Sequence, residues 1–227
     1  MSIKIFFHIC AITRAVDVVK DMIRSIHFSG LYDEVVGIYC YISGEEPIIQ
    51  DVIDLIRISG QKFRIVICSP NDTSYERLTL EDIHNHISNE DKILYIHSKG
   101  VSIYHQDNLQ RLKCIDDWSY ITLYYLVRHY KLCIELLNNH DTVGINLKQI
   151  GRDGTYKPHW CGNLFWVTGE YFLKLPHSIG PNYYDPEQSF LFLKNPKAYE
   201  ICSVKDINHY TDRCEPFKYI DIEIENR

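Results

Sequence analysis

In the stretch Asp91-Lys92-Ile93-Leu94-Tyr95-Ile96-His97-Ser98-Lys99-Gly100, an apolar run ends in an imidazole, a hydroxyl, an ammonium group and a glycine. A short run rich in Ile and Tyr predicts a buried strand. Because α/β folds bind ligands just beyond the carboxyl ends of strands, residues 97–100 are candidates for an anion site. An ordinary polar turn fits the same four residues equally well. The rest of the chain is needed to choose between these interpretations.

Alternating strands and helices precede this stretch. The pattern predicts strands over residues 3–12, 35–42 and 63–68, and helices over residues 15–28 and 48–58. Successive strand and helix units imply parallel strands joined by right-handed crossovers. We therefore expect one α/β domain with a mixed, mostly parallel sheet flanked by helices.

The second half of the chain is less regular. It predicts a long helical region, residues 108–137, and strands at residues 142–147, 162–167 and 199–204. Gly151-Arg152-Asp153-Gly154 predicts a turn or hairpin tip. Asp185-Pro186-Glu187-Gln188 is expected to open a helix over residues 185–193, since Asp suits the N-cap and Pro the first helical position.

Composition excludes several classes of protein. A formal net charge of -6 argues against sequence-independent binding of nucleic acid, and no apolar run approaches the ~20 residues of a membrane span. The eight Cys occur singly without a C-x-x-C pair, unlike the ligands of a structural zinc site. Reduced cysteines predict a cytoplasmic protein, in the host cytoplasm if the source is a virus.

Three motifs carry a family resemblance. In order along the chain they are Tyr95-Ile96-His97-Ser98-Lys99-Gly100, His159-Trp160-Cys161-Gly162-Asn163-Leu164-Phe165-Trp166 and Asp185-Pro186-Glu187-Gln188, with His209 as a weaker fourth point. With them the chain resembles the GT-A class of nucleotide-sugar glycosyltransferases, in particular small ones from bacterial polysaccharide clusters and large DNA viruses. The resemblance implies a single GT-A-like, Rossmann-like domain.

The resemblance also implies the substrates and their places. A UDP- or GDP-sugar would be the donor and a glycan or glycoprotein the acceptor. Residues 1–100 would form the nucleotide-binding half, residues 101–215 the acceptor and catalytic half, and residues 216–227 a tail.

When the bond between the sugar and the diphosphate of the donor breaks, the diphosphate leaves with additional negative charge. A positive group beside it is needed to stabilise that charge. Most GT-A enzymes supply it through a divalent cation held by Asp-x-Asp, but this chain has His97-Ser98-Lys99 there. We expect Lys99 to fill this role with help from His97, and Ser98 and Gly100 to contact the donor. A solvated turn is the alternative for Lys99.

The second motif is expected to line the sugar and acceptor side. Gly162 permits close backbone approach, the Asn163 amide can read hydroxyl groups, and Trp166 can stack on a pyranose. A buried core strand would account for Trp166 equally well.

An inverting transferase needs a carboxylate that takes the proton of the acceptor hydroxyl, and Glu187 matches the place of this base in related enzymes. Asp185 is either a helix cap or, with His209, a ligand of Mn²⁺ or Mg²⁺. The missing Asp-x-Asp puts dependence on either cation in doubt.

The nucleotide is expected near the loops that follow the first and third strands. By resemblance, Thr13 and Arg14 border it and Asp72 reads its base or ribose, although Arg14 can also pair with Asp17.

Two other functions compete with glycosyl transfer. One is a catalytically inactive GT-A-like module that binds a glycan or protein, which the missing Asp-x-Asp favours. The other is a nucleotidyltransferase, which would normally have a Gly-rich basic loop after the first strand. Cys10-Ala11-Ile12-Thr13-Arg14 contains no glycine.

Overall fold

A computed structural model describes residues 1–70, 75–101, 109–188, 190–204, 207–216 and 219–220. The strands are β1 (Ile3–Ala11), β2 (Gly37–Gly44), β3 (Phe63–Pro70), β4 (Lys92–His97), β5 (Thr142–Ile145), β6 (Leu147–Ile150), β7 (Tyr156–Trp160), β8 (Phe165–Thr168) and β9 (Ala198–Cys202). The α-helices are α1 (Ala15–Phe28), α2 (Leu31–Glu34), α3 (Glu46–Ile58), α4 (Arg77–Asp82), α5 (Leu109–Leu123), α6 (Tyr130–Leu136) and α7 (Gly169–Phe172). Short 3₁₀ segments cover Ile83–Asn85 and Phe190–Phe192, and a π-helical segment, Tyr124–Arg128, joins α5 to α6.

Seven strands form one sheet in the order β3-β2-β1-β4-β8-β5-β9. β1 to β4 are parallel, β8 is antiparallel to both β4 and β5, and β9 is parallel to β5. β6 and β7 form a separate antiparallel hairpin whose tip is the predicted turn at residues 151–154. The expected fold class, a mostly parallel mixed sheet flanked by helices, is confirmed.

Both faces of the sheet are covered, as the strand sequences require. Ile5, Phe7 and Ile9 of β1 point into the larger core, which α1, α3, α5 and α6 complete. Phe6, between them in sequence, points into a second core shared with α4 and α7. Side chains alternate across a strand, so a strand buried on both faces has a nearly continuous run of apolar residues. Within the described ranges, none of the helices has the length and hydrophobicity needed to cross a membrane.

The predicted helix over residues 185–193 is wrong. Asp185 lies in a turn, where its carboxylate accepts a hydrogen bond from the backbone N–H of Asn182, 2.8 Å away. The bond runs back to a preceding residue, whereas an N-cap side chain accepts from the residues that follow it. The short 3₁₀ segment Phe190–Phe192 is the helical structure seen in the described part of this region.

β7 was not expected from the sequence, because Pro158 lies inside it. Proline donates no backbone hydrogen bond and is disfavoured in strands, except at edges. In the two-stranded hairpin each strand has an unpaired side, which accommodates Pro158. The strand predicted over residues 162–167 begins only at Phe165, because Gly162 and Asn163 have positive φ angles of 90° and 54°.

Candidate active site

Strand directions bring two of the predicted motifs to one edge of the main sheet. β1 and β4 are parallel, with His8 opposite His97, so their carboxyl ends lie side by side. β8 is antiparallel to β4, so the residues that precede β8 reach the same edge. Gly162 and Asn163 therefore lie next to the residues that follow β4.

The His97 imidazole links these two motifs. Its Nε2 lies 2.6 Å from the carbonyl oxygen of Gly162, which can only accept, so Nε2 carries the donated proton. Burial and, secondly, the positive charge of Lys99 lower the pKa of His97 to about 4. The ring is neutral near pH 7 and joins the two loops, and its expected assistance to Lys99 stays a prediction.

Ser98 and Gly100 fix the loop after β4 against its neighbours. The Ser98 hydroxyl oxygen accepts a hydrogen bond of 2.9 Å from the backbone N–H of Cys10. Gly100 has a φ angle of 83°, and a Cβ atom there would lie 2.6 Å from Cγ2 of Ile115. A side chain at position 100 would therefore collide with α5.

Lys99 lies over the face of Trp118, with Nζ 4.1 Å from the ring centroid. An indole face attracts a cation through its quadrupole, so it holds the ammonium group without neutralising its charge. Gly162 makes room for the same indole, because a Cβ atom there would lie 2.9 Å from Cζ2 of Trp118. The motif glycine thus sets the position of Trp118 and, through it, of Lys99.

His209 also stacks on Trp118, with the ring centroids 4.9 Å apart and nearly parallel planes. Asn146 accepts from the backbone N–H of Val204 through Oδ1, which orients its Nδ2 as the donor to Nε2 of His209, 3.0 Å away. Nε2 therefore carries the lone pair and Nδ1 the proton. Burial and, secondly, the charge of Lys148 lower the pKa of His209 to about 4, so the ring is neutral. The buried Nδ1–H has no acceptor among the described residues.

Glu76 is a second carboxylate at this edge, and the sequence did not indicate it. Its Oε2 accepts a hydrogen bond of 3.0 Å from the Tyr95 hydroxyl and another from Nδ2 of Asn163. Burial and the negative charge of Glu187 raise the pKa of Glu76. Asn163 is 3% exposed, so its amide holds Glu76 in place and the prediction that it reads sugar hydroxyls is wrong.

Two cavities adjoin at Glu187. The larger, which we call the strand-end cleft, measures about 720 Å³, and its lining includes His8, Cys10, Glu76, His97, Lys99 and Arg111. The smaller, the hairpin pocket, measures about 430 Å³, and its lining includes Trp118, Lys148, His159, Cys161, Gln188 and His209. Glu187, Arg152 and Tyr210 line both cavities. A molecule in either cavity therefore lies next to Glu187.

Arg152, at the hairpin tip, is a cation on the boundary between the two cavities. It donates to the Tyr184 hydroxyl over 3.0 Å and to the Tyr210 hydroxyl over 3.3 Å. Both partners are phenols, so these bonds place the guanidinium group without cancelling its charge. Arg111 lies 5.6 Å from the ring centroid of Tyr210 and adds a further cation to the strand-end cleft.

Several predicted site residues lie elsewhere. Trp166 is fully buried and donates to the backbone carbonyl of Leu126 over 2.8 Å, so the prediction that it stacks on a sugar is wrong. Asp185 turns back to Asn182 and lines neither cavity. The Nε2 lone pair of His209 is already occupied, as described above. These two side chains do not fit a shared divalent cation.

Within the ranges that the structure describes, no group of three or more His, Cys, Asp and Glu side chains has the arrangement of a metal site.

Thr13 and Arg14 lie beside the strand-end cleft but do not line it. Thr13 donates to the carbonyl oxygen of Val101 over 2.5 Å, and Arg14 pairs with Asp116 at 3.2 Å, not with Asp17. The remaining candidate, Asp72, lies outside the described residues.

No protein-family model and no curated protein matches the sequence. Solved structures do match the fold. 4-Diphosphocytidyl-2C-methyl-D-erythritol synthase from Anaerococcus prevotii is 11% identical, covers 100% of this chain and 99% of its own, and has a TM-score of 0.50. HddC from Yersinia pseudotuberculosis is 10% identical, covers 89% of this chain and 91% of its own, and has a TM-score of 0.51.

The 2-C-methyl-D-erythritol 4-phosphate cytidylyltransferase from Francisella tularensis is 10% identical over 100% and 99% of the two chains, with a TM-score of 0.36. At these identities the likeness concerns the fold alone. The chain shares its Rossmann-type α/β fold with the first two structures.

Proposed function

We propose that this chain is an inverting glycosyltransferase that moves a sugar from a nucleoside diphosphate to a glycan or glycoprotein acceptor. The observation that carries the proposal is the position of Glu187, a carboxylate shared by two adjoining cavities, one of which also contains Lys99. A group-transfer reaction needs two substrates that meet at one base. Two cavities that share a carboxylate provide this arrangement.

The strand-end cleft suits the nucleotide-sugar donor. It opens at the carboxyl ends of β1 and β4, where α/β sheets bind nucleotides. Lys99, Arg111 and Arg152 line it, and their charges can stabilise the negative charge that develops on a departing diphosphate. We assign Lys99 the main part because the Trp118 face fixes the position of its ammonium group in this cleft.

Glu187 is the better general base of the two carboxylates. One oxygen of Glu76 already accepts hydrogen bonds from Tyr95 and Asn163, whereas Glu187 lines both cavities. In the proposed step, Glu187 takes the proton of the acceptor hydroxyl as that oxygen forms a bond to the anomeric carbon. The bond from this carbon to the diphosphate breaks, and its electron pair leaves with the diphosphate.

A bound Mn²⁺ or Mg²⁺ would supply further positive charge for the leaving group. Asp185 and His209, the side chains expected to hold it, do not fit this role for the reasons given above. The proposed reaction therefore uses no metal ion, and dependence on Mn²⁺ or Mg²⁺ stays as open as the missing Asp-x-Asp left it.

The base assignment is tested with Glu187→Gln, which keeps the shape and removes the charge. We expect kcat to fall by about 10²–10⁴-fold with donor binding preserved. Glu170→Gln is the matched control, since Glu170 is an exposed partner of Lys174 on α7. Turnover of the Glu187 variant at the control's rate would refute the assignment.

The role of Lys99 is tested with Lys99→Met, for which we expect kcat to fall by about 10²–10³-fold. Lys62→Met is the control, because Lys62 also lies over an aromatic ring, that of Tyr32, at 5.2 Å. Lys62 directly precedes β3 and therefore lies at the amino ends of the parallel strands, away from the strand-end cleft at their carboxyl ends. Equal activity of the two variants would contradict the assignment.

Nucleotidyl transfer is the second candidate, favoured by the fold shared with 4-diphosphocytidyl-2C-methyl-D-erythritol synthase. The two reactions release different products: nucleoside diphosphate from a nucleotide sugar, and pyrophosphate from a nucleoside triphosphate and a sugar phosphate. Measuring both products from panels of both substrate types separates the candidates. Thermal stabilisation by none of these nucleotides, with or without Mn²⁺, would instead favour an inactive binding module.

A further inference from the structure

The two oxygens of the Glu76 carboxylate differ in their surroundings. The hydrogen bonds that it receives from described residues, one from the Tyr95 hydroxyl and one from Nδ2 of Asn163, both end on Oε2. Oε1 lies 3.9 Å from Nε2 of His97, whose proton goes to the carbonyl oxygen of Gly162. Glu76 lines the strand-end cleft, and its side chain is 19% exposed. Oε1 can therefore accept a hydrogen bond from a molecule in the cleft.

The sheet holds this carboxylate in position before any ligand binds. Tyr95 is a fully buried residue of β4, and Asn163 lies buried in the turn that precedes β8. Glu76 itself directly precedes α4. A side chain fixed from two elements loses little conformational freedom when it binds a ligand, so Glu76 is suited to recognise one particular hydroxyl group.

Two exposed tyrosines stand beside this carboxylate. Tyr75 and Tyr183 line the strand-end cleft, are 45% and 60% exposed, and meet edge to face with ring centroids 4.9 Å apart. Tyr75 has a φ angle of 53°, a strained conformation for a bulky side chain and one found most often at functional sites. The C–H faces of a pyranose pack on aromatic rings and its hydroxyl groups donate to carboxylates, so this wall suits a sugar.

The charges next to Oε1 favour an uncharged sugar. Burial and, secondly, the negative charge of Glu187 raise the pKa of Glu76, which shows that the two carboxylates act on each other. Lys99 opposes this rise, but it is the cation that we assign to the diphosphate. A carboxylate of a ligand at Oε1 has no proton to donate and would be repelled by both glutamates.

We propose that Glu76, Tyr75 and Tyr183 form the subsite for the sugar of the donor, and that this sugar is an uncharged hexose with a hydroxyl group that donates to Oε1 of Glu76. The inference rests on the proposed function, because that function puts a nucleotide sugar in the strand-end cleft. Lys99 then binds the diphosphate, and the sugar extends toward Glu76. Glu76 selects the sugar, whereas Glu187 acts on the acceptor hydroxyl.

Binding of nucleotide sugars that differ at C6 alone tests the inference without an acceptor. UDP-glucose, UDP-galactose and GDP-mannose are each compared by calorimetry with the corresponding uronate, which has a carboxylate at C6, and with UDP or GDP. We expect at least one neutral donor to bind about tenfold more tightly than its nucleoside diphosphate, and its uronate to bind no more tightly than that diphosphate. A uronate that binds as tightly as its neutral counterpart would overturn the inference.

Glu76→Gln locates the effect. Nδ2 of Asn163 can only donate, so it orients the oxygen of the new amide toward itself and turns the NH₂ group to the cleft. The advantage of the neutral donor over its diphosphate should disappear, while the affinity for the diphosphate is kept. Glu81→Gln is the matched control, because Glu81 also lies on α4 and accepts from the backbone N–H of Ile179 but does not line the cleft.

Tyr75→Leu should reduce the same advantage, and Tyr75→Phe should keep it because the ring remains. An undiminished advantage in Glu76→Gln would overturn the inference. If that variant does not fold, the comparison of neutral donors with uronates in the unmodified protein still decides.

Failure of this inference can be told apart from failure of the proposed function. Binding of UDP or GDP reports on the proposed function. Binding of a diphosphate without added affinity from any neutral sugar would refute the sugar subsite alone. Binding of neither diphosphate would refute the proposed function and the subsite with it.

Discussion

Two buried imidazoles should make this protein lose stability between pH 6.5 and about pH 4. Burial and, to a smaller extent, nearby lysines lower the pKa of His97 and of His209 from 6.5 to about 4. Between these pH values the unfolded chain binds protons that the folded chain does not. The free energy of unfolding therefore rises with pH in this window. As the pH falls through the window, the protein loses the stability that the two neutral imidazoles provide.

The size of the effect follows from the two shifts. Each pKa unit corresponds to about 1.36 kcal/mol, so a fall from 6.5 to about 4 gives roughly 3 kcal/mol for each imidazole at the acid end. Domains of ordinary size are stable by ~5–15 kcal/mol. The two rings together should thus remove a large share of the stability, before most carboxylates titrate.

Urea unfolding at pH 7.5, 6.5, 5.5 and 4.5 measures this dependence. In His209→Gln the loss of unfolding free energy between pH 6.5 and about pH 4 should be smaller by roughly 3 kcal/mol, because glutamine cannot gain the proton. Its side-chain oxygen can still accept a hydrogen bond from Asn146. His27→Gln is the control, since His27 lies at the end of α1 and contacts the carbonyl of Ser59. A His209→Gln slope identical to that of the unmodified protein would refute the reasoning.

Two further substitutions probe the supports of the site. Gly162→Ala should lower the free energy of unfolding by ~2–4 kcal/mol and weaken donor binding, because position 162 has a φ angle of 90° and the new Cβ displaces Trp118. A urea midpoint and a nucleotide affinity equal to those of the wild type would contradict this prediction. Asp117→Asn should lower the free energy of unfolding by ~1–3 kcal/mol, because the Asp117 carboxylate accepts hydrogen bonds from the Arg213 guanidinium and from the backbone N–H of Cys214. An unchanged urea midpoint would show that these hydrogen bonds contribute little to stability.

The regular first half of the fold could be predicted from the sequence because its signals are local. Helix α1 (Ala15–Phe28) matches the predicted bounds, since its apolar residues recur at helical spacing. The turn at residues 185–188 could not be predicted in this way, because local capping preferences favoured a helix. In the structure the Asp185 carboxylate instead accepts a hydrogen bond from the backbone N–H of Asn182, three residues earlier.

The candidate site was predictable only in part. Motif positions led to Lys99 and Glu187, which both line the strand-end cleft. Glu76 gave no signal, because a single glutamate near a short helix looks like a surface residue until Asn163 and Tyr95 are placed against it. The hairpin tip was expected as a turn, but its spacing in sequence does not show that Arg152 reaches the boundary between two cavities.

The same contacts give a physical reason why a cation is stable at position 99. The quadrupole of the Trp118 ring attracts the Lys99 ammonium group and would repel a negative charge placed at the same point. Gly162 lets this ring approach, and the same residue's carbonyl holds neutral His97. The loop, the glycine and the tryptophan therefore favour a cation at position 99 together.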